Sequence, residues 1–183
     1  MSDEAAHLLK LIGKGDEAAF ADFYRLFETR LYRFIKSKLN DSFEAADILN
    51  ETFLEVWRKA DTFEGRSKVS TWLFGIAYFK TVDFMRKRKL VLVDDDQFLD
   101  IVDESDDAMA CLLSKEKGDH VRFCLETLKL AQRSVMELAF FEDMSYGDIA
   151  KVVDCPENTV KTRMFHAKQA MKNCLSSRLG GTA

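Results

Sequence analysis

The chain has 183 residues, enough for one large domain or two small ones, and it carries a net charge of −4. It is 47% hydrophobic and 32% charged, so it can fill a globular core. One proline and eight glycines argue against an all-β chain with many turns. The sequence has no run of eighteen apolar residues, which excludes a predicted membrane span, and its acidic start differs from a signal peptide.

The cysteines Cys111, Cys124, Cys155 and Cys174 are widely scattered. They form no CxxC pair, and no histidine lies at metal-ligand spacing from any of them. We therefore expect reduced, mostly buried thiols in a cytoplasmic protein, with no metal site.

Hydrophobic periodicity predicts four helices in the first ninety residues, at about 4–13, 17–39, 43–60 and 71–89. We expect Asp16, Asp41 and Ser70 to cap the second, third and fourth helices, and Asp41 with Glu44 is typical of a capping box. The second helix carries a stripe that we interpret as core. Its members are Phe20, Phe23, Phe27, Leu31 and Phe34.

Two helix faces in this half are candidates for binding. The outer face of the third helix is acidic, which is equally consistent with plain solvated surface and with a docking face. The fourth helix combines Tyr78 and Phe79, which we expect to be exposed, with the basic run RKRK at its end. Stacking aromatics beside cations suit single-stranded DNA, whereas the alternative is a core helix whose cations complement its dipole.

After residue 90 the helical pattern stops in the stretch LVLVDDDQFLDIVDESDD, which has no Lys or Arg. We interpret residues 91–108 as an acidic, extended linker. Because its charge mimics that of nucleic acid, we hypothesise that it occupies a basic channel in a partner.

The remaining residues predict four more helices, at about 109–128, 131–142, 146–153 and 157–175. Proline breaks the last two apart at Asp154, Cys155 and Pro156, which predicts a helix-turn-helix with Ser145 as its first cap. In the last helix Val160, Met164, Ala167 and Met171 form a buried stripe. Its opposite face is basic, because residues 158–172 contain four Lys or Arg and no acid, and a basic helix suits the DNA major groove.

The chain resembles the extracytoplasmic-function group of bacterial sigma factors, within the sigma-70 family. The likeness lies in AADILNETFLEVW at 45–57, STWLFGIAYFKTVDFMRKR at 70–88, and LKLAQRSVMELAFFEDMSYGDIAKVVDCPENTVKTRMFHAKQAM in the second half. TVKTR at 159–163 stands where the family has a TVKSR-like run. The resemblance implies an all-α fold with a region 2 domain at 1–90, a linker at 91–108 and a region 4 domain at 109–183.

The resemblance also implies three sets of binding residues. The set expected to dock on core polymerase is Asp47, Asn50, Glu51, Glu55 and Trp57. The set expected to hold the melted −10 element is Phe63, Lys68, Ser70, Thr71, Trp72, Tyr78, Phe79, Lys80, Asp83, Arg86 and Lys87. The set expected to read the −35 element is Asn158, Thr159, Lys161, Thr162, Arg163, His166 and Lys168.

The implied partners are RNA polymerase core enzyme, promoter DNA and an anti-sigma factor, with no cofactor. Some positions depart from the family pattern: Asn50 stands for a common Gln, Tyr78 and Phe79 for an Arg-Asn pair, and His166 for a common Arg. A LuxR-like helix-turn-helix regulator is the alternative, although residues 1–90 lack the β–α alternation of its usual partner domain. We do not expect an enzyme, because we find no phosphate loop, metal triad or Ser-His-Asp set.

Overall fold

A computed structural model describes residues 2–39, 41–92 and 112–179, and every regular element within these ranges is helical. The all-α prediction is therefore confirmed for this part of the chain. Among the described residues, no helix has both the length and the apolar character needed to cross a membrane. The elements are α1 (Ser2–Ile12), α2 (Glu17–Lys36), α3 (Ser42–Lys59), a 3-10 turn (Ala60–Thr62), α4 (Val69–Leu92), α5 (Leu112–Glu126), α6 (Leu130–Phe140), α7 (Tyr146–Val152) and α8 (Glu157–Leu179).

The chain forms two compact units. The first is built from α1 to α4, and the second contains α5, α6, α8 and most of α7. The domain boundaries at 90 and 108 stay predictions. Most of the predicted linker lies outside the described residues, whereas its first two positions, Val91 and Leu92, end α4.

The first unit is organised around α2, whose predicted apolar stripe is buried from Phe23 to Phe34, whereas Phe20 is half-buried. Phe23 and Leu31 are fully enclosed, and α1, α3 and α4 all pack against α2. The rings of Phe23 and Phe53 meet edge to face, with centroids 6.4 Å apart, and those of Phe34 and Phe74 do so at 5.2 Å. Such pairs add roughly 0.5–1.5 kcal/mol beyond the area that they bury, so the aromatic stripe holds the helices in register.

Local capping follows the sequence at two helix starts. Asp16 Oδ1 accepts a hydrogen bond from the Ala19 N–H at 2.9 Å, and Asp41 Oδ1 accepts from the Phe43 and Glu44 N–H groups at 2.6 and 3.2 Å. Both caps are confirmed. A capping carboxylate satisfies N–H groups that have no partner inside the helix.

The prediction that Ser70 caps α4 is wrong. The helix begins at Val69, so Ser70 lies inside its first turn. The Trp72 N–H bonds to the carbonyl of Lys68 at 3.1 Å, which moves the start of the helix upstream of Ser70.

The second unit buries the predicted stripe of α8 as far as Ala167, whereas its last member, Met171, is half-buried. Val160 and Met164 on α8 and Val135 and Leu138 on α6 are all buried. Arg133 donates from its guanidinium to the carbonyls of Leu125, at 2.8 Å, and Glu126, so it ties α6 to the end of α5. Burial lowers the pKa of Arg133, although a guanidinium remains charged at any physiological pH.

A disulfide joins Cys124 on α5 to Cys174 on α8, across 50 residues of sequence. The Cα atoms lie 5.8 Å apart, within the range that a disulfide requires. The prediction of reduced thiols is therefore wrong for these two residues, whereas Cys155 is a half-buried thiol. Sequence spacing could not reveal this pair, because its members meet only when α5 packs against α8.

We expect Cys174→Ser to lower the free energy of unfolding of the second unit by about 4 kcal/mol, because the disulfide closes a long loop in the unfolded chain. Urea unfolding with and without a reductant measures this difference. Cys155→Ser is the matched control and should leave the sensitivity to reductant unchanged. Equal stability of the oxidised and reduced wild-type proteins would contradict the prediction.

Candidate docking face and nucleic-acid interfaces

The outer face of α3 is exposed along its whole length. Burial of Ile48 and Phe53 turns Asp47, Asn50 and Glu51 outward, where the sequence placed them. Sequence reasoning missed Leu54, which lies among them on the same face with 52% of its surface exposed. An exposed leucine ringed by polar groups is typical of the centre of a docking surface. The sequence does contain a signal for Leu54, because it is an apolar residue that falls outside the buried stripe of α3.

At the C-terminal end of this face, Trp57 and Glu55 both contact neighbouring side chains. Trp57 is 36% exposed and packs its ring edge-on to Phe20, with centroids 5.2 Å apart. Glu55 pairs with Lys59 at 2.6 Å, and the hydrogen bond from Lys59 lowers the pKa of the Glu55 carboxyl. The carboxylate therefore stays charged at neutral pH, with one cation already beside it.

The loop between α3 and α4 forms a shallow aromatic pocket. The rings of Phe63 and Trp72 lie 5.3 Å apart and tilted by 52°. They line a pocket of about 140 Å³ together with loop residues. The others in its wall are Thr62, Glu64, Arg66 and Ser67. Two aromatic rings beside a cation and hydroxyls form a surface on which an unstacked base can lie.

Further along α4 the predicted residues divide between buried and exposed. Thr71 and Tyr78 are buried, so the expectation that Tyr78 is exposed is wrong. Its helix position follows Phe74 by one turn, and that side of α4 faces the core. Phe79 is 44% exposed and meets Tyr78 edge to face at 5.6 Å, while Lys68 is exposed and Ser70 half-buried.

Two cations of α4, Lys80 and Arg86, pair with carboxylates. Lys80 lies 3.5 Å from Glu51 on α3, and Arg86 lies 3.2 Å from Asp83 one turn earlier. Lys87 is exposed.

Arg88, which belongs to the predicted basic run but not to the predicted −10 set, donates from one guanidinium nitrogen to both carboxylate oxygens of Glu44, at 3.0 and 3.1 Å. The Glu44 carboxylate is therefore engaged with α4, whereas the predicted capping box assigned it to the start of its own helix. This contact links the basic end of α4 to α3.

The helix-turn-helix is present as predicted. Ser145 Oγ accepts from the Asp148 N–H at 3.1 Å at the start of α7. Asp154 adopts a left-handed backbone, with φ of 46°, and ends the helix there. The Pro156 carbonyl accepts from the Thr159 and Val160 N–H groups at 2.9 and 3.2 Å, which begins α8 directly after the turn.

On α8 most of the predicted −35 residues are exposed. Asn158, Lys161, Thr162, His166 and Lys168 face solvent, and Thr159 is half-buried. Lys161 pairs with Glu157 at 2.9 Å, and the Thr162 hydroxyl donates to the Asn158 carbonyl at 3.0 Å.

Arg163 takes a different position. It is half-buried, with one guanidinium nitrogen 3.6 Å from the Cys155 sulfur in the turn. The structure therefore sets Arg163 at the edge of the helix nearest the turn. The exposed Phe165, on the outer face, was missed.

Within the described ranges, no group of three or more His, Cys, Asp or Glu side chains is arranged to hold a metal ion.

Comparison with known families places both halves of the chain in one family. Residues 23–91 match the family described as Sigma-70 region 2, and residues 120–171 match Sigma-70, region 4. The ECF RNA polymerase sigma factor SigK of Mycobacterium tuberculosis is 29% identical over 178 residues, which are 96% of this chain and 95% of that protein. SigW of Bacillus subtilis is 27% identical and covers 91% of this chain and 94% of its own.

Solved structures agree with this result. The sigma factor RpoE of Bartonella quintana, in complex with the anti-sigma factor NepR, is 26% identical with a TM-score of 0.73, covering 86% of this chain and 96% of its own. CnrH, in complex with the cytosolic domain of CnrY, shares the fold with a TM-score of 0.69 at 20% identity, covering 98% and 99% of the two chains.

The Thr71 hydroxyl is buried and has no hydrogen-bond partner among the described residues. An unpaired buried hydroxyl costs free energy, so we expect Thr71→Val to raise the free energy of unfolding by about 1 kcal/mol. The matched control is Thr81→Val, because the Thr81 hydroxyl donates to the Ala77 carbonyl at 2.7 Å. Urea unfolding of both variants tests this, and an equal loss of stability in the two would contradict it.

Proposed function

The chain belongs to the extracytoplasmic-function group of the sigma-70 family, and we propose that α3 binds core RNA polymerase, α4 holds the −10 element and α8 reads the −35 element. The observation that carries this proposal is the occurrence of both regions, in family order, along one chain whose relatives match it nearly end to end. The proposed role is binding without catalysis, in the cytoplasm where polymerase acts.

The docking step rests on the exposed face of α3. Leu54 supplies apolar area at the centre, and Trp57 supplies an aromatic anchor already held by Phe20. Asp47 and Glu51 at the rim favour a partner surface with cations. An apolar centre with a charged rim is the common arrangement of protein interfaces.

The −10 step rests on the loop pocket and on α4. A base extruded from the duplex loses its stacking energy, a few kcal/mol, and recovers part of it by stacking on an aromatic ring. Phe63 and Trp72 offer such rings in the loop, and Phe79 offers a third on α4. Thr71 and Tyr78 are buried, so their proposed role is to hold the exposed residues of α4 in position and not to contact DNA.

The −35 step rests on α8 after the turn. The exposed Lys161 and Lys168 meet phosphates, while Asn158, Thr162 and His166 approach base edges. The Lys161–Glu157 pair is exposed and therefore weak, so it exchanges for a phosphate at little cost.

An anti-sigma factor is the proposed regulatory partner, because the sigma factor RpoE of Bartonella quintana was solved in complex with one. The acidic linker is proposed to reach a basic channel of the polymerase. The alternative of a LuxR-like regulator is not favoured by the first unit, whose described residues form helices alone.

Run-off transcription with purified core polymerase, with mapping of the start sites, tests the proposal. Failure of the protein to redirect initiation would overturn it.

Crossed variants separate the first two steps. Leu54→Ser should weaken core binding about tenfold, since most of one leucine side chain loses its burial. Phe79→Ser should leave core binding unchanged and reduce open-complex formation about tenfold, since one stacking contact is lost. Fluorescence titration of core enzyme measures the first effect, and permanganate footprinting of the melted strand measures the second. The same loss in both assays for both variants would contradict the assignment.

Salt dependence tests the phosphate contacts. Lys161→Ala and Lys168→Ala should each reduce by about one unit the slope of log affinity for promoter DNA against log salt concentration. Lys14→Ala, an exposed lysine between α1 and α2, is the matched control and should leave the slope unchanged. An unchanged slope in both α8 variants would show that neither lysine meets a phosphate.

A further inference from the structure

Phe165 is a large apolar side chain on the outer face of α8. It is 67% exposed, although most phenylalanines of this chain that lie in helices are at least half-buried. At 3.6 residues per turn it lies about 140° around the axis from the buried Val160. Thr162 and Gln169, three and four residues away, share its face. The packing that buries Val160 therefore directs Phe165 away from the core.

The charges around Phe165 favour a nucleic acid. Lys161 lies one turn before it and Lys168 one turn after it, and both are exposed. The ring also meets His166 edge to face, with centroids 5.5 Å apart, which limits its freedom. An apolar ring between two ammonium groups fits a surface with phosphates on both sides and an apolar group between them.

The major groove offers one apolar group at its base edges, the 5-methyl group of thymine. Phenylalanine is among the side chains that pack on this methyl, and polar neighbours can meanwhile bond to other base edges. We propose that Phe165 is a specificity-determining residue of the −35 contact, and that its ring packs on a thymine methyl group. This inference rests on the proposed function of α8 and adds a preference for thymine at one position.

A protein partner is the competing occupant of this surface. Phe140 and Phe141 at the end of α6 are 62% and 64% exposed, and Phe140 lies 5.8 Å from the Lys168 ammonium. A protein-binding patch would join them to Phe165. Lysine is depleted at the centres of protein interfaces, however, and Phe165 stands between two lysines among polar groups.

The test removes the methyl group and nothing else. Each thymine of a −35 element is replaced in turn by deoxyuridine, and promoter affinity is measured for holoenzyme reconstituted with full-length factor. With wild type we expect a loss of about fourfold at one thymine, which corresponds to the burial of one methyl group. With Phe165→Ala that loss should vanish, and the variant should bind thymine and deoxyuridine templates equally.

Two further variants keep the test sharp. Phe165→Leu retains an apolar side chain and should keep part of the methyl dependence. Phe140→Ala, an equally exposed ring on the same unit, should keep all of it.

The inference is overturned if wild type shows no methyl effect at any thymine, or if Phe165→Ala keeps the wild-type effect. It is also overturned if Phe165→Ala weakens binding equally on all templates together with core binding, which would indicate a protein partner. A wild-type protein inactive on unmodified promoters would overturn the proposed function itself, and that result is obtained before any variant is made.

Discussion

Each amphipathic helix buries one apolar face in the core, and this burial determines which side chains the helix presents to partners. On α8, burial of Val160, Met164 and Ala167 fixes the rotation of the helix about its axis, so Thr162 and Phe165 must face outward. On α3, burial of Ile48 and Val56 does the same for Glu51 and Leu54. The packing of the apolar faces thus determines which side chains point outward. No contact among those outward-facing side chains is needed.

The charge balance has an energetic consequence for DNA binding. The chain is acidic overall, and many of its exposed cations already pair with nearby carboxylates, such as Arg86 with Asp83 and Lys161 with Glu157. Exposed ion pairs of this kind contribute about 0–1 kcal/mol to stability, so a DNA phosphate can replace the carboxylate at little cost. The net gain in electrostatic attraction is small, because the cation already had an anionic partner. We therefore expect the free protein to bind promoters weakly and to depend on the free energy of a larger assembly.

Sequence reasoning recovered what is local. Caps such as Asp16, Asp41 and Ser145 involve residues two or three apart, and the stripe of α2 repeats within one helix, so both could be identified by spacing alone. The Ser70 cap is a local error, because α4 begins one residue before it, and the other errors concern packing in space. Whether Tyr78 is buried or exposed depends on which other helices pack against α4. The pairing of Cys124 with Cys174 likewise depends on the packing of α5 against α8. Leu54 and Phe165 were missed because sequence reasoning followed the periodic apolar stripes, and both residues fall outside them.

The bond between Cys124 and Cys174 also determines how the second unit carries mechanical load. Tension applied through the two ends of the chain enters at one sulfur and leaves at the other, and it bypasses all the residues between the two cysteines. Those residues include α6, α7, the turn and the outward-facing part of α8. While the bond is intact, a force that pulls on the two ends of the chain can unravel the flanking segments, but it cannot stretch the part of α8 that precedes Cys174.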